Sequence, residues 1–88
     1  MNILYSSRFA TDLKNVKDAA EKAEITSALL SMKSASRLID IPNLKKLKGA
    51  KNAFRVKAGE YRLGFYLNQD TISLARCAKR KDIYRLFP

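Results

Sequence analysis

The sequence predicts an α+β fold: two N-terminal helices packed on a twisted, mainly antiparallel four-stranded sheet, with residues 1–88 forming a single domain. Three observations predict it. Apolar residues recur at helical spacing before residue 36 and at alternate positions after Ala53. The connections between the alternating runs are short, which suits a meander of hairpins. Ile41-Pro42-Asn43 separates the two halves, because a residue before proline is pushed out of αR geometry.

Each element follows in order. Asn2 to Tyr5 is short and apolar enough for a strand, and Ser6 or Ser7 then offers a helix N-cap. Phe9, Leu13, Val16 and Ala20 share one helical face, and Asp12 lies early enough to favour the helix dipole. A second, longer helix runs through Ile25, Ala28, Leu29 and Met32, since Ala19 to Ala35 holds neither Gly nor Pro. A break near Lys17–Ala20 makes the two a helical hairpin. Leu44 to Gly49 reads as a basic connector pinned by Leu44 and Leu47. From Ala53 the period becomes two, with Phe54 and Val56 facing one way and Arg55 and Lys57 the other. Ala58-Gly59-Glu60 and Asn68-Gln69-Asp70 are turns. Between them Tyr61, Leu63, Phe65 and Leu67 alternate with Arg62, Gly64 and Tyr66; Ile72 and Leu74 open the last strand.

Charge divides the chain as sharply as periodicity does. Residues 1–44 carry six Lys/Arg against five Asp/Glu, whereas residues 45–88 carry twelve against three. A net charge of +10 concentrated on the strands is the footprint of a surface that meets a polyanion. Alternation then places Arg55, Lys57, Arg62 and Tyr66 on the sheet face away from the helices, around a hollow at Gly64.

Several classes of function are disfavoured. Histidine is absent, and with it the commonest general base and metal ligand. The eight carboxylates are scattered, so neither a metal nor a cofactor is expected. Cys77 is the only cysteine, which speaks against a disulfide framework and for a buried thiol in a reducing, cytoplasmic setting. Neither a signal peptide nor a membrane span is indicated.

The string Phe54-Arg55-Val56-Lys57-x-Gly59-x-Tyr61-Arg62-Leu63-x-Phe65-Tyr66, followed by Ala78-Lys79-Arg80-x-Asp82-Ile83-Tyr84, resembles the RelE/ParE superfamily of toxins from toxin–antitoxin pairs. The strand–helix–helix opening and the LxxLxG connector extend the resemblance over nearly the whole chain. For the RelE branch it implies a ribosome-dependent, metal-independent endoribonuclease that cleaves mRNA and inhibits translation. It also implies a cognate antitoxin, acidic where it crosses the cationic surface, in a toxin–antitoxin hetero-oligomer. The ParE branch implies inhibition of DNA gyrase without nuclease residues. Without the resemblance, a small basic RNA-binding module is the third reading.

By position the resemblance implies a catalytic set of Arg62, Arg80, Tyr84 and Lys57. Arg55 stands where other members carry a second lysine, and the interval from Arg80 to Tyr84 is shorter than theirs. Arg55, Lys45, Lys46, Lys48, Lys51, Lys79 and Lys81 are expected to contact RNA phosphates. The chemistry fits these residue types. RNA carries its own nucleophile, the 2′-OH, so cleavage needs a base, cations for the phosphorane and an acid for the leaving oxygen. Arg62 and Arg80 suit phosphate clamping, because a guanidinium forks onto two oxygens and stays charged. Arg55 cannot act as a base; Lys57 can if neighbouring cations depress its pKa, and Tyr84 can either stack on a base or exchange a proton. On its own, an arginine at position 62 of a strand is more often a solvated cross-strand charge. Tyr61 and Phe65 are expected in the core, and Leu86-Phe87-Pro88 as a hydrophobic latch.

Overall fold

The computed structural model describes residues 1–88. The chain runs β1 (Asn2–Tyr5), α1 (Ser7–Lys14), α2 (Ala19–Ser34), a 3-10 turn (Leu38–Asp40), β2 (Leu44–Lys46), β3 (Ala53–Ala58), β4 (Tyr61–Asn68), β5 (Thr71–Lys79) and α3 (Arg80–Leu86). The fold class is α+β as expected, but the sheet has five strands in the order β1-β5-β4-β3-β2, and there is a third helix. The extra strand is the supposed connector: Leu44, Lys45 and Lys46 pair antiparallel with Val56, Arg55 and Phe54. Three residues are too few to show a period, so the strand was invisible as a pattern. β1 pairs parallel with β5, from Asn2 beside Thr71 to Tyr5 beside Leu74, which makes the sheet mixed.

The helices begin where side chains can cap them. The Ser6 hydroxyl accepts the Phe9 amide at 3.0 Å, and the Asp18 carboxylate accepts the Glu21 amide at 2.9 Å. The second cap sets the break: α1 ends at Lys14 and α2 starts at Ala19, in line with the helical hairpin read from the pattern. Asp12 does something other than favour the α1 dipole. It lies beyond the first turn, and its carboxylate accepts from Arg76 Nε (2.8 Å), Arg76 Nη2 (3.2 Å) and the Cys77 amide (2.9 Å), fastening α1 to β5.

Two apolar clusters hold the sheet, one per face. The larger has 14 buried residues, including Phe9, Val16, Ile25 and Met32 from the helical side, and Phe54, Val56, Leu63, Phe65, Ile72 and Leu74 from the strands. The smaller has five, Leu47, Ala53, Ala78, Ile83 and Phe87, and seats α3 on the opposite face. Cys77 belongs to the larger cluster, where burial pushes its thiol up to about 12. Tyr61 packs against that cluster half-buried, and Phe65 lies fully inside it.

Both long hairpins close as two-residue turns. Gly59 (φ 60°) sits in the first and Gln69 (φ 56°) in the second. The Glu24 carboxylate of α2 lies over Gly59, a flexible side-chain end that rests where a Cβ would point. Along β4, the register shifts between Gly64 and Phe65, so that Gly64 faces Arg76 and Phe65 faces Leu74. This bulge leaves Ala75 unpaired and sharpens the local twist. No helix is long and apolar enough to cross a membrane.

Candidate functional site

The sheet face away from α1 and α2 gathers cations from every element that borders it. Register sets the pattern: Lys45 lies beside Arg55, Arg55 beside Gly64, Gly64 beside Arg76, and Lys57 beside Arg62. Like charges directly opposite one another destabilise a strand pair. Lys57 and Arg62 are such a pair, which a fold selected for stability alone would not favour.

The hollow expected at Gly64 is filled. A Cβ on Gly64 would lie 2.5–2.9 Å from the Phe87 ring, so the missing side chain is what admits that ring. Phe87 also meets Tyr66 with ring centroids 5.0 Å apart. Pro88 packs near Gly49, whose φ of 101° bends the β2–β3 loop toward it. Of the expected Leu86-Phe87-Pro88 latch, Phe87 is the buried member and occupies the place reserved for a concave floor, while Leu86 and Pro88 are exposed.

Latching fixes α3 across the sheet. Ile83 and Phe87, four residues apart, point down into the smaller cluster. Arg80 and Tyr84, also four apart, share another side of the same helix. Arg80 is exposed and its backbone amide donates to Glu60 O at 2.9 Å. Tyr84 is 53 % exposed. The Arg55 guanidinium beside it holds the phenol below its ordinary range, and Lys45 and Arg62 act in the same direction. Strands β2, β3 and β4 and helix α3 thus bring Lys45, Arg55, Arg62 and Tyr84 into one cluster.

Arg62 is not the solvated charge its strand position suggests. It is 7 % exposed, and Nη1 donates to Gly59 O (2.9 Å) and Tyr61 O (3.0 Å), the carbonyls of its own hairpin turn. Those carbonyls offset part of the cost of holding a guanidinium under cover opposite Lys57. Lys57 itself is exposed at the end of β3.

The remaining cations divide. Lys79 and Lys81 are exposed on either side of Arg80, and Lys48 is exposed in the β2–β3 loop with Lys51. Lys46 is turned to other work. Its Nζ donates to Lys51 O (2.6 Å) and Ala50 O (3.3 Å) and sits 5.4 Å from the Phe54 ring centroid, so it staples the loop from the opposite side of β2 to Lys45.

Two participants escaped the sequence reading. Asn43 adopts φ 62°, and its carbonyl accepts both Arg55 Nη1 at 2.8 Å and the Lys57 amide at 3.2 Å. An asparagine after proline is among the few residues that tolerate such a backbone, and that was the available signal. The other is Arg76, tied to Asp12 at the rim of the face. Its partner lies 64 residues away, and no local pattern announces it.

Side-chain cations from three strands and a short helix, on the face of a small mixed sheet away from α1 and α2, define a basic α+β protein with one strongly cationic face. No protein-family model matches the chain. It is 36 % identical to Toxin RelE3 of Methanocaldococcus jannaschii over 89 aligned residues, covering all of both chains. The chain belongs to the RelE toxin family. Among solved structures it resembles the toxin-bearing RelB–RelE antitoxin–toxin complex from Methanococcus jannaschii at a TM-score of 0.78 and 33 % identity, covering 97 % of this chain and 99 % of that one. The YoeB dimer from Staphylococcus aureus shares the fold at a TM-score of 0.71, with 24 % identity and 91 % and 97 % of the two chains covered.

Proposed function

We propose that the protein is a toxin whose cationic sheet face cleaves mRNA on the ribosome, without a metal, until an acidic antitoxin covers that face. The observation that carries this reading is the cluster of Lys45, Arg55 and Arg62 around Tyr84, with Lys57 paired across the strands with Arg62 and Arg80 one turn before Tyr84 on α3. The relatives support the partner: the RelB–RelE structure from Methanococcus jannaschii is an antitoxin–toxin complex. A net charge of +10 makes an acidic partner the fitting one.

The chemistry follows from the residues. The RNA 2′-oxygen attacks the adjacent phosphorus, its proton passing to a base, Lys57 or Tyr84. The bond from phosphorus to the 5′-oxygen breaks as that oxygen takes a proton. The products are a 2′,3′-cyclic phosphate and a 5′-hydroxyl. Arg62 and Arg80 stabilise the charge that accumulates on the non-bridging oxygens. Lys45, Lys48, Lys51, Lys79 and Lys81 supply the longer-range attraction to the backbone.

Primer extension on a translated message tests the reading. We expect cuts that require ribosomes and vanish when a 2′-deoxy residue replaces the nucleotide 5′ to the cut. DNA breakage with intact message would instead favour a gyrase poison and sink the nuclease.

A further inference from the structure

We propose that Arg55 is a positioning residue for Tyr84, locked by the main-chain carbonyl of Asn43, and that this lock rather than contact with RNA is its part in the reaction. The proposal rests on the nuclease reading above and deepens it. Arg55 lies at the centre of the cationic face, between Lys45 of β2 and Gly64 of β4. The Gly64 hollow holds Phe87, three residues beyond Tyr84, and Gly64 is the register neighbour of Arg55, so Tyr84 lies one helical turn from a ring packed beside Arg55's strand partner.

The guanidinium is committed inward. Nη1 is bound to Asn43 O at 2.8 Å, and Nε is fully buried with no acceptor. Here one nitrogen is spent on the backbone and another is sealed from solvent. What remains is a cation held in one place on the α3 side of the sheet. The same Asn43 carbonyl receives the Lys57 amide, so a single oxygen sets Arg55 and the backbone of its neighbour Lys57 together.

The charged groups around Tyr84 all push in one direction. Lys45 from β2, Arg55 from β3 and Arg62 from β4 favour its phenolate, with Arg55 acting most strongly. On its own helix Arg80 lies one turn earlier. Burial works weakly against them.

Two measurements decide the matter. The first follows the tyrosine titration by NMR in the free protein, with Tyr84→Phe identifying its signal among the four tyrosines. In Arg55→Ala the Tyr84 pKa is expected to rise; an unchanged titration overturns the proposal. This arm needs no RNA, so it stands even if the nuclease reading fails. The second compares cleavage by wild type and Arg55→Lys, whose ammonium keeps the charge but cannot reproduce the planar fork. We expect kcat to fall by about 10²-fold with KM little changed, as displacement of a reacting group produces. A raised KM with intact kcat would make Arg55 a substrate contact and overturn the assignment. Thermal unfolding of each variant separates these effects from loss of fold.

Discussion

The two faces of the sheet solve different problems. Toward α1 and α2, 14 buried residues interlock and the polar ties are few and specific. Toward α3, five buried residues hold a seven-residue helix among cations that repel one another. One face keeps the chain folded; the other is held together just well enough to keep its charges in place. Stability and function are separated by the thickness of one sheet, so a substitution should betray its face by what it changes.

The largest effect should come from the helical face. Phe9→Ala removes a fully buried ring, and should cost about 3–5 kcal/mol in denaturant unfolding. A loss below about 1 kcal/mol would erase the contrast between the faces. Arg80→Ala tests the other side. Its side chain is exposed, so unfolding should be unchanged while cleavage falls by about 10²–10³-fold. A variant that stays fully toxic would remove Arg80 from the site.

Phe87→Ala should fall between these extremes. It empties the Gly64 hollow, but the small cluster can open without unfolding the sheet. Hydrogen exchange should accelerate across residues 80–86 and leave β3–β5 protected; uniform acceleration would mean that the two faces unfold as one. Cys77 gives a pH-dependent probe of the larger core. Its folded thiol is raised to about 12 from an ordinary 9.0, so its contribution is complete below the unfolded thiol's pKa and is lost as pH rises toward 12. Replacement by Ala should flatten that alkaline loss, and native protein at pH 8 should resist iodoacetamide. The smallest effect belongs to the loop: Lys51→Ala should weaken RNA binding modestly and reduce the salt slope by about 0.7–0.9 if one phosphate contact is lost, leaving the cleavage position alone.

Much of the helical face was legible in the sequence because its signals are local and repeated. Phe54, Val56, Leu63 and Phe65 alternate, and the structure buries all four. Phe9 and Val16 were read from one helical period and both are buried, although α1 ends at Lys14 and Val16 enters the core from the connection to α2. The elements that escaped lack repetition or depend on distant partners. β2 is three residues long, β1 finds its partner 69 residues away, and α3 is seven residues long with Ile83 its one buried position. At the candidate site, residue types were readable and their surroundings were not. Arg62 is covered by its own turn, Lys46 is turned onto its own loop, and Phe87 fills the hollow that parity had left empty. Each depends on where a flexible side chain finds an acceptor or a gap, which alternation does not encode.

The Asn43 carbonyl carries a last implication, about inheritance rather than mechanism. Two neighbours on β3 take their bearings from it, yet it belongs to the main chain and not to a side chain. No single substitution deletes a peptide oxygen. What mutation can change is whether residue 43 accepts a left-handed backbone, a condition that glycine meets readily and β-branched residues meet poorly. The site is thereby buffered against drift in side-chain chemistry at that position, and vulnerable there chiefly to drift in shape.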